Sequence, residues 1–176
     1  MKFERTELPG VMLILPQPIA DERGFFARLF CPEEFAAAGC AFAPAQMSLS
    51  RNHAKHTLRG LHFQAAPFAE AKIVRVARGS VYDVVIDLRP ESPAHRRWTA
   101  ATLSADNGEA LLVPEGCAHG FLTLEDSTDV LYQIDRVYKP GRARGVRYDD
   151  PALKVAWPAA PRVIAPVDLA WPPLEG

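Results

Sequence analysis

The chain has 176 residues, close to the usual length of one domain, and no shift in composition marks a second domain. Its 20 Lys and Arg residues against 21 Asp and Glu residues leave a formal charge of -1, which gives no electrostatic case for a nucleic-acid or membrane partner. Three cysteines without a CxxC or Cys/His spacing argue against a disulfide scaffold and a zinc site. We therefore expect one domain over residues 1–176 that meets any anionic ligand with locally placed cations.

Near the N-terminus, an apolar run covers residues 11–15 between acidic residues and prolines. It is too short for a signal peptide or a membrane span, so we expect a soluble cytoplasmic protein. The next element is a helix that begins at Pro32 with two glutamates and ends at Gly39 after a run of alanines. Proline at the start and glycine at the stop are typical of helix ends. We expect this helix on the outside of the domain.

Short segments rich in Val, Ile, Leu, Phe and Tyr follow, separated by Gly, Pro, Asn and Asp. They predict strands at residues 57–64, 72–77, 80–88, 97–103, 110–113, 119–124 and 129–138. Gly79 can take the positive φ of a tight turn, which predicts a hairpin between the second and third of these strands. Many short strands favour a sandwich or barrel. Residues 156–173 predict an extended Pro-rich tail that covers Trp157, Ile164 and Trp171.

The spacing of Gly108, Pro114, Gly116 and His119 resembles the second motif of the cupin superfamily. The resemblance implies an all-β fold, a cupin-type double-stranded β-helix (jelly-roll barrel) with a few short peripheral helices. The first cupin motif normally supplies HxH and a later glutamate as metal ligands. Here residues 62–64 read His-Phe-Gln, followed by Glu70. Because Gln64 replaces the second histidine, we expect no metal and no cofactor, and a cavity suited to proton transfer.

Further motifs follow the order of one family of cupins. They are residues 21–26, 57–64, 72–74, 83–89, 114–121, Tyr132, residues 138–140 and residues 150–158. Together they resemble the dTDP-4-dehydrorhamnose 3,5-epimerase family over nearly the whole chain. The resemblance implies an epimerase in deoxysugar biosynthesis that inverts C3, C5 or both of a nucleotide-linked 4-keto-6-deoxyhexose. It also implies a homodimer with a small-molecule nucleotide-sugar substrate.

Four residues carry the chemistry if the resemblance holds. His62 matches the base that removes the proton beside the ketone, and Asp168 matches the carboxylate that orients this base. Lys72 matches the cation that stabilises charge on the carbonyl oxygen. Tyr132 matches the acid that returns a proton from the opposite face of the sugar, which inversion requires.

Six further residues are expected to bind substrate. Arg23 and Arg59 offer bidentate donors to a diphosphate. By resemblance, Phe26 and Gln46 contact the base or sugar, Tyr138 stacks on the ligand, and His119 lines the cavity. On a regular strand Tyr132 and Tyr138 share one face, whereas Arg59 and His62 lie on opposite faces. Since the family's corresponding arginine contacts the ligand, either a bulge follows Gly60 or Arg59 acts from an edge.

Two departures from the family pattern bear on the nucleotide. Arg28 stands where many members have glutamate, and Ser48 stands where many have asparagine. Both positions are expected to contact the nucleotide, so the identity of the nucleotide base stays open. Two other functions stay open at this point, a cupin ketoisomerase that acts on a similar 4-keto sugar and a sugar-nucleotide-binding cupin without turnover.

Overall fold

The computed structural model describes residues 1–174, so Glu175 and Gly176 of the expected domain lie outside the described part. That part contains fourteen strands and two short helices. In chain order the strands are β1 (Lys2–Arg5), β2 (Met12–Leu15), β3 (Ile19–Asp21), β4 (Gly24–Phe26), β5 (Gln46–Asn52), β6 (Thr57–Gln64), β7 (Lys72–Arg78), β8 (Ser80–Asp87), β9 (Trp98–Ser104), β10 (Ala110–Val113), β11 (Cys117–Thr123), β12 (Thr128–Ile134), β13 (Ala143–Gly145) and β14 (Val163–Ile164). The helices are α1 (Pro32–Ala37) and α2 (Pro166–Leu169).

Two large sheets form the domain. The first has the strand order β1-β2-β10-β7-β12-β5, and the second has the order β13-β6-β11-β8-β9, with β14 parallel to β6. β3 and β4 form a separate antiparallel hairpin. The expected all-β barrel with short peripheral helices is thereby confirmed.

The main core lies between the two sheets. Val74, Leu111 and Val130 of the first sheet meet Val85 and Phe121 of the second, and all five are buried. Burying such a side chain completely stabilises the fold by roughly 1.5–3 kcal/mol. This packing fixes the positions of the polar side chains that the same strands direct towards a cavity between the sheets.

The segment from residue 72 to residue 87 corrects the predicted hairpin. Both strands are present, but β7 lies between β10 and β12 in the first sheet, whereas β8 lies between β11 and β9 in the second. Gly79 between them has a φ of +73°, so the chain turns sharply and crosses to the opposite sheet. The predicted pairing is wrong because a local turn signal does not specify the strand with which the chain pairs afterwards.

α1 covers the outer surface of the first sheet, as the sequence predicts. Phe35 is completely buried, and its ring lies edge-on to Phe3 with the centroids 4.9 Å apart. The same cluster contains Ile73 and Leu112, whose sequence neighbours Val74 and Leu111 point into the main core. The alternation of these strands therefore gives the first sheet two apolar faces.

The C-terminal segment lies against the second sheet, as the Pro-rich tail predicts. β14 pairs with the start of β6, and the indole nitrogen of Trp157 donates to the Tyr148 carbonyl oxygen at 2.9 Å. The same segment includes the short helix α2, which the sequence does not predict. Within residues 1–174 no helix is long and apolar enough to span a membrane.

Candidate active site

A cavity of about 590 Å³ lies between β5, β7 and β12 of the first sheet and β6 and β13 of the second, with the C-terminal segment as one wall. Seven of the ten predicted site residues line it, namely Gln46, Arg59, His62, Lys72, Tyr132, Tyr138 and Asp168. A larger recess of about 680 Å³, beside α1 and residues 5–12, contains none of the ten. The smaller cavity is therefore the candidate active site.

A bulge in β6 brings Arg59 and His62 to the same side of the strand. His62 is the cross-strand partner of His119, and Arg59 is the partner of Phe121, so three steps along β6 match two along β11. One extra residue reverses the inward and outward alternation. Gly60 lies at this point, where a Cβ atom would be 2.6 Å from the His119 carbonyl oxygen. The bulge that the sequence left as one alternative is thus present.

His62 lies on the floor of the cavity and is largely buried. Burial lowers the pKa of its imidazole to about 4, and the nearby positive charge of Lys72 contributes in the same direction. The imidazole is therefore neutral near pH 7, which is the form that can accept a proton.

Lys72 is buried beside the cavity and forms an ion pair with Glu70, whose carboxylate oxygen lies 3.4 Å from the ammonium nitrogen. Burial lowers the pKa of Lys72, whereas Glu70 and Asp83 oppose this shift. Lys72 thus places a cation, paired with Glu70, at the cavity wall, where it can stabilise negative charge that develops on a ligand oxygen.

Behind the cavity, His119 and Asp83 form a buried pair. The Nε2 atom of His119 lies 2.9 and 3.0 Å from the two carboxylate oxygens of Asp83. His119 does not contribute to the cavity lining, so the expectation that it does is corrected. Its ring instead lies edge-on to Tyr132, with the centroids 6.1 Å apart. Sequence reasoning missed Asp83 as a site residue, although a carboxylate within the apolar β8 segment was a usable signal.

Tyr132 reaches the cavity from the first sheet. Burial raises the pKa of its phenol, and the negative charge of Asp83 raises it further. The hydroxyl group is protonated at neutral pH, so the side chain has a proton to donate.

Asp168 lies in the cavity wall formed by the C-terminal segment. Its Oδ2 atom accepts a hydrogen bond from the backbone N–H of Gly60 at 3.2 Å, and its Oδ1 atom accepts one from the indole of Trp171 at 3.4 Å. Within residues 1–174 the Asp168 carboxylate accepts hydrogen bonds from these two groups and forms none with His62. Trp171 lines the same cavity, and its only signal in the sequence is an aromatic residue three positions after an acid.

The rim of the cavity carries Gln46, Arg59 and Tyr138. β12 ends at Ile134, so the predicted strand 129–138 is too long and Tyr138 lies in the following loop. The loop is held because the Tyr138 N–H donates to the Gln46 side-chain oxygen at 2.9 Å. Arg59 donates to the Asn52 side chain at 2.7 Å, which directs its guanidinium along the rim.

Arg23 and Phe26 do not join this cavity. Both belong to the hairpin of β3 and β4, where Phe25 and Phe26 are 70% and 74% exposed. Arg23 pairs with Asp21 at 2.5 Å and leaves most of its side chain in solvent. The two remaining predicted binders thus lie on an exposed, apolar hairpin.

The cupin metal position holds His62, Gln64, Glu70 and His119 in this chain. Within residues 1–174 no group of three or more His, Cys, Asp or Glu side chains is arranged to hold a metal ion. The imidazole of His119 faces Asp83, and the carboxylate of Glu70 faces Lys72. Two of the four side chains are therefore engaged with residues outside the set, and the expectation of a metal-free site stays a prediction.

Comparisons with known proteins agree on one family. The family model described as dTDP-4-dehydrorhamnose 3,5-epimerase matches residues 5–176. The dTDP-4-dehydrorhamnose 3,5-epimerase of Sinorhizobium fredii is 39% identical over 158 residues, which cover 90% of this chain and 81% of that protein.

Two solved structures extend this similarity to the fold. The dTDP-4-dehydrorhamnose 3,5-epimerase from Bacillus anthracis, with TDP and PPi bound, has a TM-score of 0.95 at 36% identity, with 98% of this chain and 99% of that chain covered. The dTDP-6-deoxy-D-glucose-3,5-epimerase from Legionella pneumophila, in complex with dTDP-4-keto-L-rhamnose, has a TM-score of 0.90 at 33% identity, with 97% and 90% covered.

Proposed function

Because the chain belongs to the dTDP-4-dehydrorhamnose 3,5-epimerase family, we propose that it inverts C3, C5 or both of a dTDP-linked 4-keto-6-deoxyhexose in deoxysugar biosynthesis. The observation that carries this proposal is one cavity in which His62 and Tyr132 come from different sheets. Inversion needs a base and an acid on opposite faces of one carbon, and facing sheets can provide both.

The proposed reaction begins with proton abstraction next to the ketone. His62 is neutral near pH 7, so it can take the proton from C3 or C5. The electron pair moves to the C4 oxygen and gives an enolate. Lys72 stabilises that negative charge, because a fixed cation in a buried site needs little rearrangement when the charge forms.

In the second step Tyr132 donates its phenolic proton to the opposite face of the carbon. The phenol is protonated near pH 7, so it carries a proton when the enolate forms. The enolate then returns to the ketone with the configuration of that carbon inverted. We assign Asp168 to stabilising the His62 imidazolium, with support from its position beside β6.

We further propose that the chain acts as a homodimer in which a partner supplies Arg23 and Phe26 to the cavity. Support comes from the exposed hairpin that carries both residues and from the exposed side chains of Met47 and Leu49 on β5. β5 is an edge strand of the first sheet, and such edges are commonly covered by another chain. Arg59 of the same chain and Arg23 of a partner could then share the diphosphate. A cytoplasmic location stays a prediction.

Product analysis tests the proposed function. The purified protein is incubated in deuterated water with dTDP-4-keto-6-deoxy-D-glucose, and the product is examined by NMR. We expect deuterium and inverted configuration at C3, C5 or both. Migration of the ketone to C3 without inversion would indicate the ketoisomerase instead, and binding without any exchange would indicate a binding protein without turnover.

A further inference from the structure

Trp171 is in contact with the strand pair that carries the proposed base. Its indole packs against Gly145, where a Cβ atom would be 2.6 Å from two indole ring carbons. Gly145 is the cross-strand partner of His62 in β13 and β6. The indole therefore covers the backbone directly opposite His62. A side chain at position 145 would occupy the space that the indole fills.

The same indole holds the carboxylate of Asp168. One oxygen of Asp168 is fixed by the Gly60 N–H on β6, and the other receives the Trp171 N–H. Elsewhere this segment is held at a distance from the carboxylate, by the pairing of β14 with β6 and by the Leu174 N–H, which donates to Asp150 at 2.7 Å. Trp171 is thus the second anchor of a carboxylate that is only 6% exposed.

From these contacts we propose that Trp171 is a positioning residue, which fixes the orientation of Asp168 relative to His62 and clamps the C-terminal segment over the cavity. This inference rests on the proposed function, in which His62 becomes positively charged during turnover. A carboxylate stabilises that imidazolium according to its distance and orientation. Trp171 acts through Asp168 and need not touch the reacting carbon.

The chain contains a matched control. Trp157 lies in the same C-terminal segment, is also partly buried, and donates its indole N–H to a backbone oxygen. It packs beside Tyr82 and does not line the cavity. Trp157→Phe and Trp171→Phe therefore remove the same group from the same segment, and only the second change affects Asp168.

A measurement without substrate tests the contact itself. The indole N–H resonances of the three tryptophans are assigned in ¹H–¹⁵N NMR spectra from the Trp98→Phe, Trp157→Phe and Trp171→Phe variants. Asp168→Asn should shift the Trp171 resonance and speed its exchange with solvent, because a charged acceptor is lost. It should leave the Trp157 and Trp98 resonances unchanged. An unchanged Trp171 resonance would overturn the inference.

A double-mutant cycle tests the consequence for turnover. Trp171→Phe should lower kcat about tenfold, the effect of one weak hydrogen bond to a charged group, with KM and thermal stability close to those of Trp157→Phe. In an Asp168→Asn background the same change should have no further effect on kcat. An equal loss of kcat in both backgrounds, or wild-type kcat in Trp171→Phe, would overturn the inference alone. A wild-type protein that neither exchanges nor inverts its substrate would overturn the proposed function and this inference with it.

Discussion

His62 and Tyr132 project into one cavity from different sheets, so we expect their replacements to differ in outcome. His62→Ala should abolish both solvent deuterium exchange and inversion, because no enolate forms without the base. Tyr132→Phe should retain exchange with unchanged configuration, while inversion falls by a factor on the order of 10²–10⁴, the usual contribution of a positioned acid. NMR analysis of the product in deuterated water measures both effects.

Tyr82→Phe and His95→Asn are the controls for these two variants, because Tyr82 packs on Trp157 and His95 is exposed. Circular dichroism and thermal unfolding verify that each variant folds. Near-normal inversion by His62→Ala, or wild-type inversion by Tyr132→Phe, would contradict the assignment of that residue.

The lowered pKa of His62 predicts how the free energy of unfolding depends on pH. The unfolded chain binds a proton at His62 near pH 6.5, whereas the folded chain binds it only near pH 4. The stability contributed by the neutral imidazole is therefore complete above pH 6.5 and is lost as the pH falls towards 4. Between pH 7 and 4.5 we expect a loss of about 2 to 3 kcal/mol from this group.

Urea unfolding of the wild type, His62→Gln and His95→Gln at both pH values measures that contribution. The decrease in unfolding free energy should be smaller in His62→Gln and unchanged in His95→Gln. If all three proteins lose the same free energy, His62 has an ordinary pKa in the folded state.

At the scale of single elements, the β3–β4 hairpin carries Arg23 away from the cavity of its own chain. If a partner supplies Arg23, a mixed dimer of Arg23→Ala and His62→Ala chains contains one site with both residues intact. Refolding the two variants together should restore about a quarter of the wild-type activity at low substrate concentration, as random pairing of subunits requires. Alone, His62→Ala should be inactive because it lacks the base, and Arg23→Ala should be far less active because a lost charge-assisted hydrogen bond costs roughly 1.5–3 kcal/mol of binding.

Arg59 provides the control for this mixing experiment, because it lines the same cavity as His62 in one chain. Mixing Arg59→Ala with His62→Ala leaves every site with one defect and should restore no activity. Recovery with Arg59→Ala, or none with Arg23→Ala, would contradict the proposed contribution of the hairpin.

At the scale of the whole molecule, the protein should work and fold without a metal ion. At the cupin metal position Gln64 replaces a histidine ligand, His119 contacts Asp83, and Glu70 pairs with Lys72. Exhaustive chelation should therefore leave both the rate of inversion and the thermal unfolding temperature unchanged. A chelated protein that recovers activity only with added iron, manganese or zinc would refute this prediction.

Features that depend on neighbouring residues could be predicted from the chain alone. The strands at residues 57–64 and 110–113 match β6 and β10, and the helix starts at Pro32 as predicted. Residue alternation and helix-end signals act over a few positions, so they can be recognised along the chain. The motifs that resemble the family also identified most of the cavity residues, because seven of the ten predicted positions line one cavity.

The way in which those elements meet became visible in the folded chain. Folding placed β7 and β8 in different sheets, brought Arg59 beside His62 through a bulge opposite β11, and joined Asp168 to Trp171 and to Gly60, 108 positions earlier. Each of these outcomes depends on the register between strands that are distant in the sequence, and local preferences do not specify that register. The orientation of the proposed base and its carboxylate therefore follows from long-range packing, although the residues themselves could be named from the sequence.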